Sequence, residues 1–555
     1  MRRSPLVVLL ALAGFSTLLN CFKPLTVDDS VYYLYAAHIA EHPSDPYGFM
    51  LGGVQPANLV LAPPAFLYWF ALAVRLFGHN PFLWKLWLLP FNLLFVGCLQ
   101  ALARRFARPL ELPAVALLTL SPVFLPCWNL MLDVPALSLM LLALVLFMRA
   151  CDRGTLTPAV LAGLVAGVAM QTKYTAAVAP ALFLIYGRLV GRTRAGVLAA
   201  VLSALLFVGW EGFMASRYGA SHFVLALRGR DVPLWSKYKL LLPLVGTLGG
   251  TASAAILYVL AALGRSRGLL FVTAAVIAAG FLAVLLVPEP YTVLIPGPGP
   301  DSPRLRLHSL VFGTLGAALL VLIGAVVVRL CRHQAGAGPA PLRVRRYEYF
   351  LVLWLGLEAA AYFVLSPYEA VRRVMGLVIV GTLLTGRLAG RTCRSRPRLV
   401  WGTVAFNGVL GLVAFAADFE LYRSERLAAQ AAAEHIRRQR PGGTVWYDAA
   451  GAFGFYAEEL GMKSLLPGDA HPRRDDWVVT MSKRYDLVRE MLWVETRGAP
   501  PVRLRVDSPL SLRSKYQAAG TPMEHHDGSA IELYVFHLDD DLPANVTRRR
   551  DVPTP

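Results

Sequence analysis

Long apolar runs alternate with short arginine-bearing loops over the first three quarters of the chain, and the polar positions concentrate at the run ends. About 20 apolar residues in helical conformation cross a bilayer, so each run reads as a membrane helix. The first is expected from Pro5 to Phe22, with Arg2 and Arg3 on its inner side. The next stretch, Pro63 to Phe77, is short and aromatic and is expected to lie at the interface rather than to cross. Helices 2 to 6 are then expected over Phe82–Leu102, Leu112–Trp128, Pro135–Met148, Pro158–Thr172 and Ala176–Leu189. Helix 7 ends near Trp210 and opens a polar loop from Ser216 to Lys239. Helices 8 and 9 turn at Arg265 and Arg267, ahead of an outer loop from Pro288 to Arg306. Helices 10 and 11 lead to Ser366, helix 12 returns to Arg387–Arg398, and helix 13 covers Val400 to Ala416.

This threading gives about 13 transmembrane helices. Apart from Arg372-Arg373, it places the dense arginine clusters between the membrane helices on the cytoplasmic side, as the positive-inside rule requires. Counting Pro63–Phe77 as a full crossing reverses most of them. The expectation is a multi-pass inner (plasma) membrane protein with a cytoplasmic N-terminus, its first helix an uncleaved anchor rather than a signal peptide.

After Asp418 the pattern changes. Strand-like segments Thr444–Tyr447, Trp477–Met481, Val502–Val506 and Ile531–His537 alternate with helical segments Leu421–Arg438, Phe453–Leu460 and Tyr485–Thr496. That order predicts a small α/β domain with a mostly parallel sheet, outside the membrane by helix parity. The domains are therefore drawn as 1–417, with an extracytoplasmic first loop over 23–81, and 418–555.

Composition sharpens the class. The 555 residues are 56% hydrophobic and only 16% charged, against roughly 25% charged in soluble domains, and the mean hydropathy is +0.52. The formal charge of +19 resides in the loop clusters, so a nucleic-acid partner is not expected. Six cysteines are scattered among the apolar runs at 21, 98, 127, 151, 331 and 393, with neither a disulfide framework nor zinc spacing.

Several polar residues break the apolar pattern on one side of the membrane. Asp28 and Asp29 follow helix 1 directly. One of them suffices for helix capping, and a second charge at a membrane boundary is costly unless used. Asp133, before Val134-Pro135, reads equally as an N-cap. Lys173, one of eight lysines among 54 basic residues, interrupts an apolar run at Gln171-Thr172-Lys173-Tyr174. Snorkelling accounts for it, as does binding of an anionic group. Arg372 and Arg373 lie on the outer side, against the positive-inside bias. His222 is a lone loop histidine and a candidate polar or metal ligand; no second ligand at metal spacing accompanies it. His525 and His526 read as solvated. The glycines at 451 and 454 make no dinucleotide fingerprint. Taken together, the outer face offers carboxylates to accept a hydroxyl proton and cations to stabilise a departing phosphate. A donor used there, away from nucleotide pools, is membrane-bound: a lipid-phosphate sugar.

The acidic pair, the Pro63-Pro64 helix ending Arg75-Leu76-Phe77-Gly78, the Asp133-Val134-Pro135 step, Thr172-Lys173-Tyr174, and Tyr368 with Arg372-Arg373 occur in that order. In this the chain resembles the GT-C fold glycosyltransferases, specifically lipid A aminoarabinose transferases, protein O-mannosyltransferases and rhizobial lipopolysaccharide-core transferases, over roughly residues 5 to 390. The resemblance implies inverting transfer from a polyprenyl-phosphate sugar to a glycan, lipid or protein acceptor of the cell envelope. It implies Asp28 or Asp29 as general base, Asp133 as a second acid, and Lys173 with Arg372 or Arg373 as donor-phosphate binders; Tyr368 joins His222 as a candidate ligand. Aminoarabinose transferases carry a metal-binding glutamate before the Pro-Pro step, where this chain has Leu61-Ala62. The metal is therefore unknown: no cofactor is assigned, and a divalent ion stays open. A transporter or flippase for lipid-linked sugars is the alternative; it calls for charges near the midplane and for paired halves. The sequence shows neither. A non-catalytic scaffold for envelope assembly is a third reading, in which the acids and Lys173 are replaceable.

Overall fold

The computed structural model describes residues 5–51, 55–59, 63–228, 240–251, a few positions between 268 and 278, 307–334, 340–366, 368, 370–393, 395–439, 442–448, 452–465, 472–481, 501–510, 512–514, 516, 524–525 and 529–538. The chain is mostly helical. Among the described residues five helices are long and apolar enough to cross a membrane: Pro81–Phe106, Asp133–Arg153, Thr193–Tyr218, Arg345–Leu365 and Pro397–Gln439. Shorter apolar helices accompany them, including Pro5–Cys21, Pro64–Phe77, Thr157–Met170 and Tyr174–Leu189. Asp133–Arg153 is central, with 78% of its most apolar window buried against 28% for Thr193–Tyr218 at the periphery. Phe95, Phe124, Trp128, Leu141, Phe147 and Phe183 fill the core around it.

Several expected elements differ in form. The expected helix Leu112–Trp128 is broken. A helix covers Glu111–Thr119, and after turns a short 3-10 segment follows at Leu125–Cys127. Pro122 and Pro126 explain the break, since each lacks an N–H and restricts the residue before it. Helix 7 runs past Trp210 to Tyr218 and stops at Gly219, whose φ of 79° needs no side chain. The turn of helices 8 and 9, the Pro288–Arg306 loop and the helix Tyr485–Thr496 lie outside the described residues.

Helix 13 and the segment Leu421–Arg438 are one helix of 43 residues, Pro397–Gln439. The change of composition at Asp418 changes the helix's surroundings, not its backbone. The helix is apolar in its first half. Its second half buries Ala428, Ala429, Ala432 and Ile436 in a second core shared with Phe453, Val479 and Leu533.

The C-terminal sheet has five strands in the order Lys463–Ser464, Val445–Asp448, Trp477–Met481, Ser529–His537, Val502–Asp507. The first three are parallel; the short strand Lys463–Ser464 was not among those expected. Ser529–His537 pairs antiparallel with Trp477–Met481 and with Val502–Asp507, so the sheet is mixed rather than mostly parallel. The alternating segments were visible in sequence; the direction of the last strand was not, because its connections carry no pattern.

Candidate functional site

Asp28 and Asp29 open the helix Val27–Glu41. Neighbours in a helix point about 100° apart, and the two carboxylates accordingly face different surroundings. Asp29 is fully buried. Its Oδ2 accepts from the Thr26 backbone N–H at 2.9 Å, the reciprocal half of a capping box. Lys85 Nζ lies 3.8 Å away. That ammonium also donates to the carbonyls of Lys23 at 2.6 Å and Pro24 at 2.9 Å.

Lys23, itself buried, donates to the Pro126 carbonyl at 2.5 Å and lies 3.6 Å from Asp418, which accepts from Ser514. Burial raises the Asp29 carboxyl, with Lys85 and the Thr26 amide opposing. Burial lowers the Lys23 ammonium, with Asp418 and Asp29 opposing. Asp29 thus belongs to a sealed network that ties the first loop to the Leu125–Cys127 turn and the long C-terminal helix.

Asp28 faces the other way. Its Oδ2 accepts from Arg372 Nη1 at 2.6 Å, and Arg372 Nη2 donates to the Tyr368 hydroxyl at 2.9 Å. Arg373 stacks over the Tyr368 ring, 5.4 Å from its centroid. Both arginines occupy a 3-10 turn, Val371–Arg373, that enters the helix Met375–Cys393.

Asp133 sits in the first turn of the central helix, where the helix dipole favours a carboxylate, and accepts from Lys173 Nζ. Lys173 lies in the extended turn between Thr157–Met170 and Tyr174–Ala177. The Pro63-Pro64 step abuts that turn: Ala65 N–H donates to the Gln171 carbonyl at 3.0 Å.

Asp133, Lys173, Arg372 and Arg373 line one cavity of ≈ 60 Å³, together with Glu358, Ser366 and the apolar Ala136, Leu137, Met140, Ala361 and Leu365. A water-sized site needs about 10–15 Å³, so there is room for a phosphoryl-sized group. Burial pushes the Lys173 ammonium down to about 8; Arg372 and Arg373 add to the shift and Asp133 opposes it. Burial alone lowers the Arg372 guanidinium, but Asp133 and Asp28 outweigh it and hold it above its ordinary value.

The structure therefore gathers Asp28, Asp133, Lys173, Tyr368, Arg372 and Arg373 from four chain segments. Of these, Asp133, Lys173, Arg372 and Arg373 line the cavity, and Asp28 and Tyr368 join it through Arg372; Asp29 and His222 are not among its lining residues. His222 is buried at the start of His222–Arg228, edge-on to Tyr47 at 4.6 Å, and burial lowers its imidazole. Its neighbour Ser221 donates to Glu211 Oε2 at 2.6 Å. Tyr174, next to Lys173, donates to Glu211 Oε1 at 2.8 Å. Among the described residues no group of three or more His, Cys, Asp or Glu is placed to hold a metal ion. Lys23, Lys85, Glu211, Glu358 and Asp418 were not among the residues expected at the site. Lys85 and Glu358 each interrupt an apolar run, the same signal that singled out Lys173.

Residues 62–210 match the family model of dolichyl-phosphate-mannose-protein mannosyltransferase. The match contains Asp133 and Lys173, stops short of Asp28 and Arg372, and meets the protein O-mannosyltransferase part of the resemblance read from the motifs. No curated protein matches the chain. Among solved structures, ArnT from Cupriavidus metallidurans bound to undecaprenyl phosphate is similar at 16% identity and a TM-score of 0.41, over 96% of this chain and 97% of that one. The Archaeoglobus fulgidus oligosaccharyltransferase tethered to an acceptor peptide is similar at 13% identity and 0.47, over 88% and 71%. The arabinosyltransferase EmbB from Mycobacterium smegmatis is similar at 16% identity and 0.31, over 75% and 43%. The mannosyltransferase, oligosaccharyltransferase and arabinosyltransferase are all sugar-transferring enzymes.

Proposed function

We propose that the chain is a GT-C type membrane glycosyltransferase that moves a sugar from a polyprenyl-phosphate donor to an envelope glycolipid, glycan or protein on the outer face. The observation that carries this reading is one cavity lined by the Asp133–Lys173 pair, Arg372 and Arg373 beside apolar side chains, with Asp28 held at its edge by Arg372. Cations at that position suit a phosphate, and the apolar side chains suit the lipid bearing it. The family match over Asp133 and Lys173 supports a lipid-phosphate sugar as donor.

In this reading Asp28 is the general base and Asp29 holds the helix that presents it. The acceptor hydroxyl oxygen attacks the anomeric carbon while its proton passes to the Asp28 carboxylate. The bond from the anomeric carbon to the phosphate oxygen breaks on the opposite side, so the centre inverts. The bonding pair leaves on that oxygen, where Lys173 and Arg373 stabilise the new charge. Arg372 orients Asp28 and Tyr368. Asp133 fixes Lys173 through their ion pair. The sheet domain, joined to the last membrane helix, stands on the same outer side.

The test is transfer from a panel of radiolabelled polyprenyl-phosphate sugars to membrane extracts by the purified protein. Asp28→Asn is expected to lower the rate by about 10²–10⁴-fold, the usual worth of a general base, while leaving the unfolding temperature unchanged. Asp29→Asn is expected to lower the unfolding temperature. Transfer by Asp28→Asn at the wild-type rate excludes the reading.

A further inference from the structure

One charge at the cavity has no part in the proposed chemistry. Glu358 lies on the candidate span Arg345–Leu365, about 10 Å along the helix axis from its Leu365 end at 1.5 Å per residue. Ionisable groups at membrane depth are costly, and those facing an interior cavity mark function. Glu358 lines the cavity shared by Asp133, Lys173, Arg372 and Arg373.

Two contacts hold it there. Trp354, fully buried one turn earlier, donates from Nε1 to Oε1 at 2.9 Å. The carboxylate also rests against the backbone of Gly376, where an added Cβ would overlap it.

The two lipids that the reaction handles differ in charge. A polyprenyl-phosphate sugar is a phosphodiester with one negative charge. The lipid phosphate left behind is a monoester, close to two negative charges once its second proton is lost near pH 6. Coulomb energy scales with the ligand's charge. The cavity's cations therefore hold the product more firmly than the donor, which slows turnover. An ionised carboxylate on the same cavity opposes the product twice as strongly as the donor.

We infer that Glu358 is a charge-selecting residue that biases the cavity toward the singly charged lipid donor and speeds release of the doubly charged lipid phosphate. This rests on the lipid-phosphate reading above. Glu358 is a specificity residue in this role: it transfers no proton and forms no bond to the sugar.

The experiment measures binding of undecaprenyl phosphate and of its methyl phosphodiester to the purified full chain in detergent at pH 8. Neither probe requires the sugar to be known. Glu358→Gln retains an acceptor for Trp354 and removes the charge. It is expected to tighten the monoester about tenfold and the diester about threefold, the second being the square root of the first because the diester carries half the charge. Glu358→Asp keeps the charge and is expected to keep the wild-type ratio of the two affinities. Equal tightening of both lipids by Glu358→Gln, or an unchanged ratio, overturns the inference, and a purely structural role leaves that ratio alone. A wild-type protein that binds neither lipid overturns the lipid-phosphate reading itself.

Discussion

At the scale of single residues, the first helical turn after the anchor divides two adjacent acids between different tasks. Asp29 completes a capping box and a buried ion network; Asp28 reaches Arg372, one of the cavity's cations. The sequence shows two carboxylates where capping needs one, and that excess was legible. Which of them faces the site was not, because it depends on where Lys85 and Arg372 arrive from distant segments. Lys173 yields a prediction with a definite sign. Its ammonium titrates near 8, so the charge that attracts a phosphate is present below that pH and lost above it. Undecaprenyl phosphate affinity is expected to hold between pH 7 and 8 and to fall above, with Lys173→Arg extending the plateau upward. Isothermal titration across pH 7 to 10 measures this, and a flat profile contradicts it.

At the scale of elements, the residues proposed to handle donor and acceptor sit at helix ends, where exposed N–H groups and turns let side chains converge. Asp28 and Asp133 start helices, Lys173 lies between two, and Arg372 and Arg373 precede a fifth. These ends were readable because polar residues interrupt apolar periodicity there. Elements controlled by proline placement or distant packing were less readable: the broken Glu111–Cys127 region, and the helix that continues through Asp418. The buried network beneath the first loop is an element-level brace, and its cost of disruption follows from burial. Lys85 is 1% exposed and its partner Asp29 is fully buried. Removing one member of such a pair destabilises by about 3–5 kcal/mol. Lys85→Met is therefore expected to lower the unfolding temperature sharply without touching the cavity, a change that scanning fluorimetry in detergent detects.

At the scale of the whole molecule, the helix Pro397–Gln439 joins the apolar bundle to the mixed sheet. At 1.5 Å per residue its 43 residues extend about 65 Å, roughly twice the hydrocarbon thickness of a bilayer. The proposed topology puts its C-terminal half outside and the Arg104–Arg108 turn inside. Gln430 and Arg104 are both exposed. A membrane-impermeant maleimide is expected to label Gln430→Cys in spheroplasts and to label Arg104→Cys only after lysis. The opposite pattern reverses the topology.

The ion pair between Lys23 and Asp418 also sets an order of events during synthesis. The lysine leaves the ribosome almost 400 residues before its aspartate, an interval of roughly 20–80 s at ordinary elongation rates. Throughout that time the ammonium lacks the nearer of its two carboxylates, with Asp29 alone to support it. The brace that joins Lys23 to the helix Pro397–Gln439 is completed only when that helix is made, although the cavity's lining residues all precede it.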